Sequence, residues 1–398
     1  MATSTSATRH GYDRIPYLVV FDDTSAYRDT YGGVGEHVAL ESHLLRPHGV
    51  QSDTVIMFMH PIGGGAYLPM MNGLARAGHH VIYCNSRYRG VDSALIMEKV
   101  VQDLGACVRD ARERLGYTKV VLAGWSGGGA LSLFYQQQAQ QPTLTSTPAG
   151  DGPDLTRCGL IPADGIMLLA AHVSRHGTMT EWLDAAVLDE SDPSVRDSEL
   201  DLYDPKNPNQ PPYTAEFVER YRAAQIARNR RITAWVKEQL SALRAAGREL
   251  DERGFVVHGT MADPRWLDPA IDPNDRVPGR CYLGDPQVVN NGPVGLARFT
   301  TLRSWLSQWS YDDAQGDGVR CAAELRVPAL VIGNSADDAC TPSHTQRLYD
   351  AVGHADKTLH TVEGATHYYA GPDQRPKLEE ALGVITGWLA ERGFAPKA

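Results

Sequence analysis

The segment VVLAGWSGGGALSL, residues 120–133, constrains the fold more than any other stretch. Its first half is an apolar, β-branched run of strand length, and its second half changes to helical spacing. The change falls at Ser126, with Gly124 and Gly128 two residues to either side. A strand that turns into a helix at one residue crowds its own backbone. Glycine at those two positions removes the side chains that would collide.

The same alternation runs through the chain. PYLVVFD (16–22), VALESHLLRP (38–47), TVIMFMH (54–60) and HHVIYCN (79–85) read as strands, with a short helix in LPMMNGLARAG ending near Gly78. Leu95, Val100, Leu104, Val108 and Leu115 recur at helical spacing between Ser93 and Leu115, before the strand KVVLAGW. GIMLLAAH (165–172) is a further strand, and VPALVIGN (327–334) and TLHTV supply the last two. Repeated strand, helix, strand order predicts an α/β protein, a mostly parallel sheet flanked by helices.

The interval of about 150 residues between GIMLLAAH and VPALVIGN is too long for a simple connection. We read residues 173–320 as a largely helical cap subdomain, with 1–172 and 321–398 as the two parts of the core. Within the cap, Thr214 to Gly247 predicts one long helix or a broken pair. MADPRWLDPAIDPNDRVPG, dense in Pro and Asp, reads as an ordered loop crossing a surface.

Composition narrows the partners. A formal charge of −10 lacks the basic footprint of a nucleic-acid binder. The start MATSTSATRHGYDRIP has no basic and apolar leader, and no apolar run reaches about 18 residues, so a cytoplasmic protein that is not membrane-bound is expected. The six cysteines form no C-x-x-C pair or regular framework, as in a reducing compartment. Cys340 stands near a candidate loop and reads as a small apolar residue. No cluster has zinc spacing, and no Walker-type or dinucleotide loop stands in context, so neither metal nor cofactor is expected. The sequence leaves room for a homo-oligomer.

A serine held at such a corner projects its oxygen above the sheet edge, within reach of a substrate and a base. The helix that follows offers free N–H groups, Gly127 first, to an oxyanion. Serine needs an adjacent histidine, itself oriented by a carboxylate. SADDACTP after the strand at 327–334 and His367 after the final strand supply both, in the order Ser126, Asp, His367. His360 lies inside the presumed strand and His354 before it, so both read as ordinary histidines.

Together GWSGG, HPIGGG, GNSADDACTP and GATH resemble an α/β-hydrolase of the serine esterase type, over roughly 34–172 and 321–398; the resemblance does not extend to the cap. In that family the acidic loop often reads G-x-x-x-D-x-x-x-P. Asp338 stands four residues before Pro342 and on that count is taken over Asp337, whose other reading is a turn residue bonding nearby N–H groups. HPIGGG resembles the oxyanion-hole segment, which implies Ile62 or Gly63 as donor beside Gly127; Pro61 stands where the family has glycine. His60 reads as a brace for that loop.

The resemblance implies a cofactor-free hydrolase of a carboxylic ester or lactone, acting on a small-molecule substrate with an apolar portion. Amide hydrolysis, acyl transfer and C–C bond hydrolysis use the same three groups, and a non-catalytic receptor could keep the fold. Serine in place of aspartate argues against the dehalogenase and epoxide-hydrolase branches. Trp125, beside the serine, joins Trp305 and Trp309 as candidate substrate residues, the latter two reading equally as cap core. ARNRR (227–231) reads as a solvated helix face rather than an anion receiver.

Overall fold

The computed structural model describes residues 9–23, 37–65, 68–293 and 295–397. Eight strands form one sheet: β1 (Tyr12–Asp22), β2 (His37–Pro47), β3 (Thr54–His60), β4 (Val81–Asn85), β5 (Lys119–Ser126), β6 (Gly165–Ala171), β9 (Ala329–Asn334) and β10 (Lys357–Val362). Their order is β1-β2-β4-β3-β5-β6-β9-β10; every pairing from β4 to β10 is parallel, and β1 and β2 are antiparallel additions at one side. β1 starts earlier than its apolar run because it stays in register with β2 from Tyr12 opposite Pro47 to Asp22 opposite His37.

Helices cover both faces, so the central strands have no polar side to show. In β3, Val55, Met57 and Met59 pack with α2 (Met97–Glu113) and α3 (Gly127–Gln140), through Val100, Leu104, Leu131 and Phe134. Ile56 and Phe58 point the other way, into a cluster with α1 (Pro69–Arg76) and α11 (Gln374–Glu391). That two-sided burial is why TVIMFMH shows no alternation.

The chain between β6 and β9 folds over the carboxyl ends of these strands. It opens with α4 (Arg175–Trp182), continues through the single long helix α5 (Ala215–Ala245), capped by the Thr214 side chain, and includes the two-stranded pair β7 (Gly254–Val256) and β8 (Phe299–Thr301). Short helices α6 (Pro264–Leu267), α7 (Pro286–Asn290) and α8 (Leu302–Ser304) lie among long loops, and α8 runs on as one π-helical turn over Trp305–Trp309. The boundary at 320 falls inside α9 (Gly318–Ala323), which packs on α3; Cys321 and Ala322 belong to the core cluster that holds Leu133 and Phe134. After β9, α10 (Pro342–Ala351) leads to β10. No helix among the described residues is long and apolar enough to cross a membrane.

Candidate active site

The corner at Ser126 has the backbone the sequence implied. Ser126 ends β5 and adopts φ 54° and ψ −126°, a left-handed conformation that non-glycine residues rarely take. A Cβ on Gly124 would come within 2.5 Å of the Gly128 carbonyl oxygen, and one on Gly128 within 2.6 Å of the Met59 carbonyl oxygen. Both clashes are with backbone, so neither is relieved by a side-chain shift. Gly127 is closed off as well, since its Cβ would lie 2.9 Å from His60 Nε2.

His367, on the loop after β10, places Nε2 3.2 Å from Ser126 Oγ. Its Nδ1 lies 2.7 Å from Oδ2 of Asp337, on the loop after β9. All three residues are buried, Asp337 completely. The expectation that Asp338 is the partner of His367 is therefore corrected to Asp337. The reason is local: the Asp337 N–H closes a turn onto the Asn334 carbonyl, and its Oδ1 accepts the N–H groups of Ala339 and Cys340 at 2.7 and 2.8 Å. The turn-residue reading of Asp337 holds for that oxygen, while the other faces the imidazole. The Asp338 carboxyl, half-buried, is hydrogen-bonded to no other described residue. Burial, then the charge of Asp337, pushes it up to about 6.

The loop after β3 is braced by His60, whose Nδ1 is 2.8 Å from the Ile62 carbonyl oxygen. Burial, reinforced by the nearby Arg175, lowers His60 to about 4, so it is neutral at pH 7 and Nδ1–H donates to that carbonyl. Of the two donors named from the sequence, Gly63 gives its N–H to the Tyr88 carbonyl at 3.3 Å. Gly64 and Gly65 give theirs to Asn85 and the Tyr83 hydroxyl. The Ile62 N–H lies 3.2 Å from the same Nδ1; a neutral ring nitrogen that gives its proton to the Ile62 carbonyl cannot also accept, so in this tautomer the N–H keeps no acceptor there. Gly127, as the first residue of α3, has no intrahelical acceptor.

A cavity of about 260 Å³ opens on Ser126, and Ile62, Gly63, Gly127 and Trp125 form its core side. Thr178, Trp182, Tyr282, Leu296 and Trp309 form the side contributed by the long insertion. Trp125 also holds the histidine loop, its Nε1 donating to the His367 carbonyl at 3.2 Å with the two rings 4.8 Å apart. Trp305 is not at the cavity, which corrects its reading as a substrate residue. Its Nε1 donates to Thr233 Oγ1 of α5, and it packs with Ile232, Val236 and Leu240 as cap core.

Two cavity residues escaped the sequence reading. His172 ends GIMLLAAH at the carboxyl end of β6, where a pocket is expected, and its ring lies 6.3 Å from that of His367. Burial holds it well below the usual histidine range. Arg175 follows it at the start of α4, and no local pattern marks it. In ARNRR, by contrast, Arg228 is buried against Glu190, and Arg230 pairs with Asp312 on the surface.

The segment read as a surface loop clasps the acidic loop instead. Trp266 Nε1 donates to the Asp338 carbonyl and Asn274 Nδ2 to the Asp337 carbonyl, both at 2.7 Å. Arg265 reaches Thr341 Oγ1 at 3.0 Å, and His344 Nε2 lies 2.9 Å from Glu181 of α4. Asp337, Cys340 and His367 bring potential metal-ligand atoms within 4.8 Å of one another. Burial raises the Cys340 thiol well above its usual value, and the carboxylate and imidazole already face each other, so the donor set is poor for a cation.

Residues 54–146 match the family model described as alpha/beta hydrolase fold. The protein has the alpha/beta hydrolase fold. No curated protein matches the sequence. Solved structures similar to it include the monoacylglycerol lipase of Paleococcus ferrophilus, at 16% identity and TM-score 0.44, covering 88% of this chain and 98% of that one. The siderophore hydrolase EstB from Aspergillus fumigatus is similar at 14% identity and TM-score 0.48, covering 88% and 94%. A putative non-heme bromoperoxidase, BpoC from Mycobacterium tuberculosis, is similar at 13% identity and TM-score 0.41, covering 89% and 96%.

Proposed function

We propose that the protein is a serine hydrolase that cleaves a carboxylic ester or lactone through an acyl-enzyme intermediate. The observation that carries this reading is the line of contacts from Asp337 through His367 to Ser126 at the wall of an aromatic-lined cavity. His367 Nε2 takes the proton of Ser126 as Oγ attacks the carbonyl carbon. Asp337 holds the proton on Nδ1 and stabilises the imidazolium. The N–H groups of Gly127 and Ile62 receive the oxyanion. His367 then protonates the departing alcohol, and later takes a proton from the water that releases the acid. An alcohol leaves more readily than an amine, so esters and lactones ask least of a single histidine. The aromatic walls suit a small substrate with an apolar portion.

A hydrolysis screen over p-nitrophenyl esters, lactones, aryl amides and diketones, with Ser126→Ala as the blank, tests this. Esters or lactones are expected to be turned over, with kcat lower by about 10⁴ or more in the variant. Equal turnover by Ser126→Ala, or cleavage of diketones alone, would sink the reading.

A further inference from the structure

The cavity holds one charged group that the reaction proposed above does not use. Arg175 is 7% exposed and is the one Lys or Arg, with no Asp or Glu, among the described residues that line the cavity. Its guanidinium lies over the ring of Trp309, 4.3 Å from the centroid. Nε donates to Gln308 Oε1 at 2.9 Å, and Nη2 stands 3.5 Å from Asp92 Oδ2. Nη1 has no hydrogen-bond partner among the described residues.

The counter-charge is incomplete. Burial lowers Arg175 to about 10 in spite of the opposing pull of Asp92, so it stays charged at neutral pH while its lost hydration is only partly replaced. It lines the same cavity as Ser126 and His367, and its charge opposes protonation of His60 and His172. The largely apolar walls around it, Trp125, Trp182, Tyr282 and Leu296, lower the local polarity and strengthen any charge pairing made there. A guanidinium presents its N–H groups as a planar fork that matches a carboxylate.

We propose that Arg175 binds a carboxylate on the substrate, so that the ester cleaved carries an acidic group on its acyl or its alcohol part. This rests on the reading of Ser126 as the nucleophile. The purpose of the otherwise apolar cavity is then to orient an amphiphilic ester, with its apolar part on the tryptophans and its acid on Arg175.

The test compares kcat/KM for mono-p-nitrophenyl succinate, glutarate and adipate with neutral p-nitrophenyl esters of the same chain length. A second pair, 4-carboxyphenyl pentanoate and phenyl pentanoate, places the acid on the alcohol side. Ser126→Ala is subtracted as the blank, because such acids also assist their own hydrolysis. The acidic ester of at least one pair is expected to be preferred by about tenfold or more, and Arg175→Gln to abolish that preference. Asp92→Asn, which removes the competing carboxylate, is expected to raise it; this and the wild-type ratio decide the matter if Arg175→Gln does not fold. Neutral esters turned over as well as the acidic ones in every pair, a preference that survives Arg175→Gln, or no rise in Asp92→Asn would overturn the proposal while leaving the hydrolase reading intact. No turnover of any ester, with Ser126 unreactive to a fluorophosphonate, would overturn the hydrolase reading itself.

Discussion

Asp337 and Asp338 are chain neighbours whose surroundings give them opposite chemistry. Asp337 has an N–H pair on one oxygen and an imidazole on the other, whereas the Asp338 carboxyl is half-buried and bonded to no other described residue. Asp337→Asn is therefore expected to lower kcat by about 10³–10⁴, because the amide no longer fixes the imidazole tautomer. Asp338→Asn is expected to cost less than about tenfold, and steady-state kinetics on the two variants checks the difference. The same contrast sets a pH dependence. Asp338 is pushed up to about 6 from its ordinary 3.8, so between those values the folded state holds the proton more tightly than the unfolded chain. Its contribution to stability thus falls as pH rises from about 4 to 6, and the penalty is complete above that. Asp338→Asn should melt higher than the wild type at pH 8, by about 1–2 °C, and no higher at pH 4; thermal denaturation at the two pH values decides it.

At the scale of elements, the acidic loop is held as much by the insertion as by the sheet. Asn274→Ala and Trp266→Phe each remove a hydrogen bond to a carbonyl of that loop, and each is expected to lower kcat several-fold to about tenfold, with KM less affected. An unchanged kcat in both would show that β9 alone fixes the loop. The β5–α3 corner has no such freedom. Gly128→Ala should cost about 2–4 kcal/mol in denaturant unfolding, because its Cβ meets the backbone of β3. The physical range of each constraint explains what could be read from the sequence. The corner was legible because its glycines stand within five residues of chain and the Gly124 clash is with Gly128 and Gly129 themselves, whereas the Gly128 clash with Met59 of β3 needs the fold. His367 was legible because it follows the last strand. Asp337 was legible only in part: counted forward from Gly333 the spacing rule falls on Asp337, counted back from Pro342 it falls on Asp338, and only the Asn334–Asp337 turn shows which side chain faces the histidine. Trp305 and Trp309 share a helical stripe, and only the packing of that turn between α5 and Arg175 separates core from cavity. Arg175 owes its place to the tertiary path of the insertion, which no periodicity records.

Across the whole molecule, the sheet places Ser126, Asp337 and His367 at its carboxyl edge and the chain between β6 and β9 supplies the opposite wall of the cavity. Replacing 173–320 by a short linker would remove Arg175, Trp182 and Tyr282 together with the clasp on Asp337, so loss of activity is expected rather than relaxed selectivity. Selectivity is better read from a p-nitrophenyl ester series from acetate to octanoate on the intact protein. Each buried methylene should raise kcat/KM about fourfold until the cavity is filled, after which it should fall. A steady decline from acetate onward would mean that the walls do not receive the acyl chain. The central claim is that Ser126 is a nucleophile activated by His367 and Asp337. Fluorophosphonate labelling with the adduct located by mass spectrometry tests it most directly. A single adduct on Ser126 is predicted, absent from Ser126→Ala and formed about 10³-fold or more slowly in Asp337→Asn; an adduct elsewhere, or an undiminished rate in Asp337→Asn, would contradict it.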